Sequence, residues 1–306
     1  MTGPFPTLQP SDLPAIARLC AAGLDDAPTV DDLAASLFTD GWPVTVRGDP
    51  EHGVVASCVR EGGAALRLLV VHPAARGHGL GRALLRAAEA DLGDSSSITV
   101  GADAPDYLFP GVEVTQTAML CLLERSRYVR GEANFNMVVD LERLPAPDPE
   151  VSVAGSGESG EVDEWVTRHW PMWREEVLRC LARDRLMVAR DGEGVVACCC
   201  WDGARAGWVG PVAVRPSVIG QGRGRGVLVG ALHRLRAAGR HRAEIGWVGP
   251  IVPYAQTVGA RIHRVFLVYR KPRANATPGR APGTPSGQPW TEGARPRAGG
   301  ATRPTH

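Results

Sequence analysis

The sequence carries almost no net charge. Its 34 Lys and Arg stand against 33 Asp and Glu, a formal net charge of +1 at pH 7. No global field therefore draws nucleic acid or an anionic membrane surface. Long apolar runs are missing too, and none approaches the roughly 18–20 residues needed to cross a bilayer. The first residues, MTGPFPTLQPSDLP, have neither the basic segment nor the apolar core of a signal peptide. The expectation is a cytoplasmic protein with no nucleic-acid and no membrane partner. Two phosphate-binding signatures are missing as well. The P-loop spacing G-x-x-x-x-G-K-[ST] does not occur, and no G-x-G-x-x-G follows the first strand of a βαβ unit. A disulfide framework is also missing, since the seven cysteines are odd in number and lack framework spacing.

What is present is globular. Hydrophobic residues make up 44% of the 306 and charged residues 22%, and that length suffices for two ordinary domains. Three cysteines are adjacent in VVACCCWD. On a strand, Cys198 and Cys200 share one face and Cys199 takes the other, which cannot by itself close a tetrahedral zinc site. They read as small apolar residues of a buried strand, with a redox or metal role as the alternative.

The chain repeats itself. VHPAARGHGLG, residues 71–81, and VRPSVIGQGRG, residues 214–224, share a Val-x-Pro followed by alternating glycines, and Val214 lies 143 residues after Val71. Between the halves lies LPAPDPE, residues 144–150, a proline-rich linker. The division is therefore 1–143, linker 144–150, and 151–271. From Pro272 the chain is rich in Pro, Gly, Thr and Arg and can bury little surface, so 272–306 reads as a disordered tail dispensable for folding.

Each half reads in the order β-α-α-β-β-β-turn-α-β-α-β, with Ser11 the expected cap of the first helix. After the first turn, Leu80, Leu84, Ala88 and Leu92 mark one helix face. That order predicts an α+β fold of three layers, each half a mixed sheet with helices on both faces. A glycine-rich turn leading into a helix exposes backbone N–H groups at the positive end of the helix dipole. Such a turn suits a phosphate or pyrophosphate, although a tight turn without a ligand would use the same glycines.

The first turn, with Arg76, Gly77, His78, Gly79, Leu80 and Gly81, resembles the acetyl-coenzyme A signature Arg/Gln-x-x-Gly-x-Gly/Ala of the GCN5-related N-acetyltransferase (GNAT) family. The second turn, with Ile219, Gly220, Gln221, Gly222, Arg223 and Gly224, resembles it too, and the element order agrees in both halves. The whole is similar to a tandem GNAT protein of the two-domain kind that includes mycothiol synthase. The resemblance implies acetyl-CoA as co-substrate, no metal, and a small-molecule primary amine as acceptor, in a monomer or homodimer. It further implies that the strand before each turn splays from its neighbour. Its free backbone groups, Leu69, Val70 and Val71 in one half and Val212, Ala213 and Val214 in the other, would then pair with the pantetheine arm and polarise the thioester carbonyl.

The halves are not equivalent. Aligned on Val-x-Pro, Ile219 stands where Arg76 does. A second register, Gln221-x-x-Gly224-x-Gly226, restores a Gln but shortens the next helix. The family places an acidic tyrosine a few residues before a Gly-Phe. Tyr254 precedes Gly259-Ala260, whereas the first half has Leu123 before Ser126-Arg127. Tyr254 is therefore the candidate general acid, or else an amphipathic residue at a helix edge. Glu244 is the candidate base, or else a solvated surface carboxylate. Trp165, Trp170 and Trp173 either roof an acceptor site or fill the core. The expected function is acetyl transfer to an amine in the second half, with the first half binding coenzyme A or serving as scaffold. The alternative is a non-catalytic acyl-CoA-binding or interaction protein.

Overall fold

A computed structural model of the chain describes residues 5–38, 42–60, 63–93 and 95–272. Of the expected tail, only Pro272 falls within them, at the end of the last strand.

The first half runs α1 (Leu13–Gly23), α2 (Val30–Leu37), β1 (Val44–Asp49), β2 (Gly53–Arg60), β3 (Gly63–Val71), α3 (Leu80–Asp91), β4 (Ser97–Val100), β5 (Val112–Glu113), α4 (Thr117–Arg125) and β6 (Val129–Asp140). The second runs β7 (Val151–Val153), α5 (Ser159–His169), α6 (Arg174–Leu181), β8 (Leu186–Asp191), β9 (Gly194–Trp201), β10 (Trp208–Val214), α7 (Arg223–Ala237), β11 (Arg242–Val248), α8 (Ile251–Val258) and β12 (Arg261–Pro272). The short first strand expected of the first half reduces to one bridge, Thr7 to Arg47. Ser11 does not cap α1. It lies inside a 3-10 turn, Pro10–Asp12, and the N3 position of a helix capped by Ser11 would be Pro14, which has no N–H to give.

Helices cover both faces of the sheet. On one face α1 and α2 pack on Leu68 and Val70, and α5 and α6 pack on Cys198, Cys200 and Ala213. On the other, α3 and α4 pack on Leu66 and Val100, and α7 packs on Met187, Cys199 and Val214. Leu84 and Ala88 turn inward as the i+4 pattern demands.

The three adjacent cysteines alternate between the two faces, as a buried strand requires, and burial pushes the Cys198 thiol up to about 12. Of the seven cysteines, Cys121 on α4 is the exposed one. Iodoacetamide is therefore expected to modify one thiol per native chain, Cys121, and the remainder only after unfolding. Mass spectrometry counts the adducts, and fast labelling at Cys198–Cys200 would contradict the packing.

The sheet does not divide where the sequence repeat does. One 12-stranded sheet runs β1-β2-β3-β4-β12-β6-β11-β10-β9-β8-β7, with β5 also paired to β12. Thus β12, the last strand of the second half, lies beside β4 of the first. Reciprocally, β6 lies beside β11 of the second. The burial follows. Tyr269 of β12 is fully buried in the first half's core, with its hydroxyl on Glu124 of α4 at 2.9 Å. Met137 and Val139 of β6 are buried under α7. Neither half closes its own sheet.

The halves also differ by an excursion. Val100 pairs with Tyr269, and after residues 101–111 the chain resumes beside the same strand, with Val112 opposite Leu267. Gly101 and Gly111 form the neck, so close that a Cβ on Gly101 would lie 2.9 Å from the Gly111 backbone. The excursion reaches into the second half. Asp106 accepts from Arg179 of α6 at 2.6 Å, and the Tyr107 ring meets Trp247 edge-on at 5.2 Å.

Candidate functional site

The two glycine-rich turns have one conformation. A 3-10 turn, Pro73–Ala75 or Pro216–Val218, follows each strand. Gly77 and Gly220 then have φ of 84° and 87°, and Gly79 and Gly222, the helix N-caps, have φ of 87° and 83°. No atom lies within 4 Å of where a Cβ would stand at any of the four, so left-handed backbone, not crowding, calls for glycine there. Helices α3 and α7 begin at the equivalent residues Leu80 and Arg223. This fixes the register: Ile219 stands where Arg76 does. Gly81 and Gly224 differ from the others, since each faces the preceding strand. A Cβ on Gly224 would meet Val214 at 3.0 Å, and one on Gly81 would meet Val71 at 3.6 Å. His78 and Gln221 are exposed, and Arg223 is engaged by Glu150 at 2.7 Å.

Both strands before the turns splay. β3 pairs with β4 through Ala64–Leu66, and the Gly101 N–H to Leu66 carbonyl bond of 2.9 Å lies at the fork. β10 pairs with β11 through Trp208 and Val209. Beyond these points Leu69, Val70 and Val71 keep ladder partners on β2 alone, and Val212, Ala213 and Val214 on β9 alone. The last carbonyl of each splayed strand is occupied by a side chain. Arg76 donates from Nε to the Val71 carbonyl at 3.1 Å and from Nη2 to the Gly23 carbonyl of α1 at 2.8 Å. In the second half, where Ile219 cannot reach up, Trp170 at the end of α5 reaches down, donating its indole N–H to the Val214 carbonyl at 3.0 Å. Trp170 also stacks on Trp173, with centroids 4.9 Å apart.

The first opening contains a cavity of about 70 Å³. The β3 stretch Leu66–Leu69 forms one wall, Gly111–Glu113 the other, with Phe109 and Met119 adding apolar surface. Four charged residues are among its lining: Asp26 from the α1–α2 loop, Arg67 of β3, Glu113 from β5, and Arg264 from β12. Arg264 donates to both Glu113 oxygens, at 2.9 and 2.8 Å, and also to Asp26 Oδ2. Arg205, from the β9–β10 loop, reaches the same Asp26 oxygen at 2.7 Å, its guanidinium lying between the Phe109 and Trp208 rings at 5.1 Å from each. Asp26 Oδ1 takes no hydrogen bond among the described residues, and the side chain is 43% exposed.

Glu244 joins this cluster from below. It is not a solvated surface carboxylate. Its side chain is 15% exposed, accepts from Asn136 Nδ2 at 2.5 Å and lies 3.4 Å from Arg264. Burial pushes its carboxyl up, while Arg264 and Asn136 pull it down. For Arg264 itself burial works against the charge, and Glu113, Glu244 and Asp26 more than offset it.

Tyr254 lies on α8 with its ring packed on the α7-side core. Burial, then the neighbouring Cys199, pushes its hydroxyl well up, so it stays protonated, and it has no hydrogen-bond partner among the described residues. The first-half counterpart is corrected by one residue. Gly259 ends α8 at φ 63°, and Arg127 takes the same left-handed conformation at φ 66° after α4. Buried Ala260 and Tyr128 follow them. Counting back, Leu122 matches Tyr254, whereas Leu123 is a fully buried core residue.

Residues 41–104 match the acetyltransferase (GNAT) family. No curated protein matches the chain. Solved structures do. A GNAT-related glucosamine N-acetyltransferase region of a fungal multi-domain GH3 β-N-acetylglucosaminidase superposes with TM-score 0.70 at 20% identity, covering 89% of this chain and 38% of that one. A GNAT protein from Sphaerobacter thermophilus gives 0.63 at 20% identity, covering 89% and 97%. A tandem GNAT protein of the clavulanic acid biosynthesis pathway gives 0.63 at 16% identity, covering 88% and 98%. At these identities the likeness is one of fold.

Proposed function

On a chain with the tandem GNAT fold, we propose an N-acyltransferase that moves an acetyl group from acetyl-CoA to a primary amine in the opening of the first half. The cavity between β3 and the Gly111–Glu113 wall, with Asp26 and Glu113 at its side, carries this reading. The amides of residues 77–81 and the N-terminus of α3 suit the pyrophosphate. The one-sided backbone of Leu69–Val71 suits the pantetheine arm, and an N–H there suits the thioester oxygen as negative charge builds on it. Asp26 Oδ1 and Glu113 hold the ammonium of the acceptor. Once that ammonium has lost a proton to solvent, its nitrogen attacks the thioester carbon, the C–S bond breaks, and the departing thiolate takes up a proton.

Tyr254 on α8 of the second half supports a second reading, in which transfer takes place in the second opening and this hydroxyl gives the thiolate its proton. The two readings share the donor. Calorimetry with acetyl-CoA tests it. Arg76→Ala removes a cation beside the first turn and should weaken binding by about ten-fold or more, the worth of one charged contact. Unchanged affinity would remove Arg76 from the site and leave it as the tether between α1 and β3. Thiol release from acetyl-CoA with a panel of primary amines tests the reaction. Tight acetyl-CoA binding without release for any amine would identify a non-catalytic acyl-CoA-binding protein.

A further inference from the structure

We infer that Arg264, carried into the first opening by the exchanged strand β12, is a positioning residue for Asp26 and Glu113. The inference rests on the reading that these carboxylates hold the acceptor amine. Three observations carry it.

First, Arg264 belongs to the second half by sequence and to the first by place. It faces Asn136 across the β6–β12 ladder, next to an irregularity at Ile262–Arg264, and its side chain is 5% exposed. Second, four of its five N–H donors go to carboxylates: Nε and Nη2 grip Glu113, and Nη1 serves Asp26 and Glu244. Third, Asp26 and Glu113 come from separate elements and carry like charge. A planar fork between them sets their separation and orientation, which a flexible ammonium cannot do. Arg205, also from the second half, grips the same Asp26 oxygen. The ligand-facing groups of one opening are thus held by cations from the other half, and the site is incomplete without both halves.

The test uses the full chain with Arg264→Ala and Arg264→Lys, each first checked for a native unfolding transition. Carbodiimide with glycine ethyl ester labels accessible carboxylates, read by mass spectrometry. Glu132, gripped in the same way by Arg270 further along the sheet, is the internal reference. Both variants should raise the labelling of Glu113, whose side chain is 14% exposed, and leave Glu132 as it was. Steady-state kinetics with acetyl-CoA and whichever panel amine the unmodified chain accepts give the second readout. Misplaced carboxylates should lower kcat/KM for the amine by about 10²-fold, with KM for acetyl-CoA unmoved. Sub-denaturing guanidinium should restore part of the loss in Arg264→Ala. A purely structural role would not respond to guanidinium and would disturb both substrates alike. Unchanged labelling of Glu113, an unchanged amine kcat/KM, or the absence of rescue each overturns the inference. If the unmodified chain turns over no amine, the transferase reading falls, and the labelling still decides whether Arg264 holds Glu113.

Discussion

Arg67→Met is expected to destabilise the protein by about 3–5 kcal/mol, the cost of breaking a buried ion pair from one side. The Arg67 side chain has no exposed surface. It donates to Asp103 at 2.5 Å, to Asp106 at 3.1 Å and to the Ser36 carbonyl at 2.5 Å. Both aspartates are buried within the excursion, and Arg60 and Arg179 supply their remaining charge partners. Methionine fills most of the volume and carries no charge, so the substitution isolates the electrostatic loss. Two carboxylates would then share what Arg60 and Arg179 provide, in a place water does not reach. Denaturant unfolding should show a lower midpoint at constant slope. Arg60→Met should cost less, because that side chain is 16% exposed. A loss below about 1 kcal/mol for Arg67→Met would show that solvent enters the cluster and replaces the guanidinium.

Asp26→Asn should lower kcat/KM for the acceptor amine by about 10- to 100-fold, the worth of one charge-assisted hydrogen bond to an ammonium. Acetyl-CoA affinity should hold, because in the proposed arrangement Asp26 meets the acceptor amine and the donor lies along β3. Tyr254→Phe is the companion measurement. It keeps the ring in the α7-side core and removes only the hydroxyl. If transfer takes place in the first opening, kcat should stay within about two-fold, since the hydroxyl acts on no reacting atom there. A fall of about 10²–10⁴-fold in Tyr254→Phe, with Asp26→Asn silent, would move the chemistry to the second opening. The two variants lie in different halves and share no partner, so their effects should add, and the double variant checks that independence.

Much of this architecture is legible in the sequence because its signals are local. Val-x-Pro, alternating glycines and the Leu84–Ala88 spacing act within a few residues, and the two turns fold alike at a fixed offset. The cavity charges are a different case. Asp26, Glu113 and Arg264 sit in stretches with no periodicity and no shared motif. Nothing near Arg264 marks it as a first-half residue, because strand exchange is set by pairings between distant segments. Glu244 was readable as a strand residue whose neighbours face the other way. Its partners are Asn136, which β6 of the first half brings through the exchange, and Arg264 of its own half, two strands away on β12. The one-residue error at Leu123 has a related origin. Residues 101–111 lengthen the first half, the fixed offset breaks there, and the left-handed residues Arg127 and Gly259 restore the alignment only once backbone angles are known.

The exchange of β6 and β12 also sets a timetable for the nascent chain. When the first half has left the ribosome, β4 exposes a bare edge whose partner, β12, is made after every other described strand. β6 is already complete, and its neighbour β11 does not yet exist. Unpaired edges invite pairing with the wrong strand or with another chain. β4 itself is only four residues long, Ser97–Val100, which limits what an intruder can gain there. Arg261–Pro272 lies between β4 and β6, so this part of the sheet cannot close before that strand is made. A ribosome stalled before residue 261 should display a first half that proteases still cut at β4 and β6, and release of the full chain should close both at once.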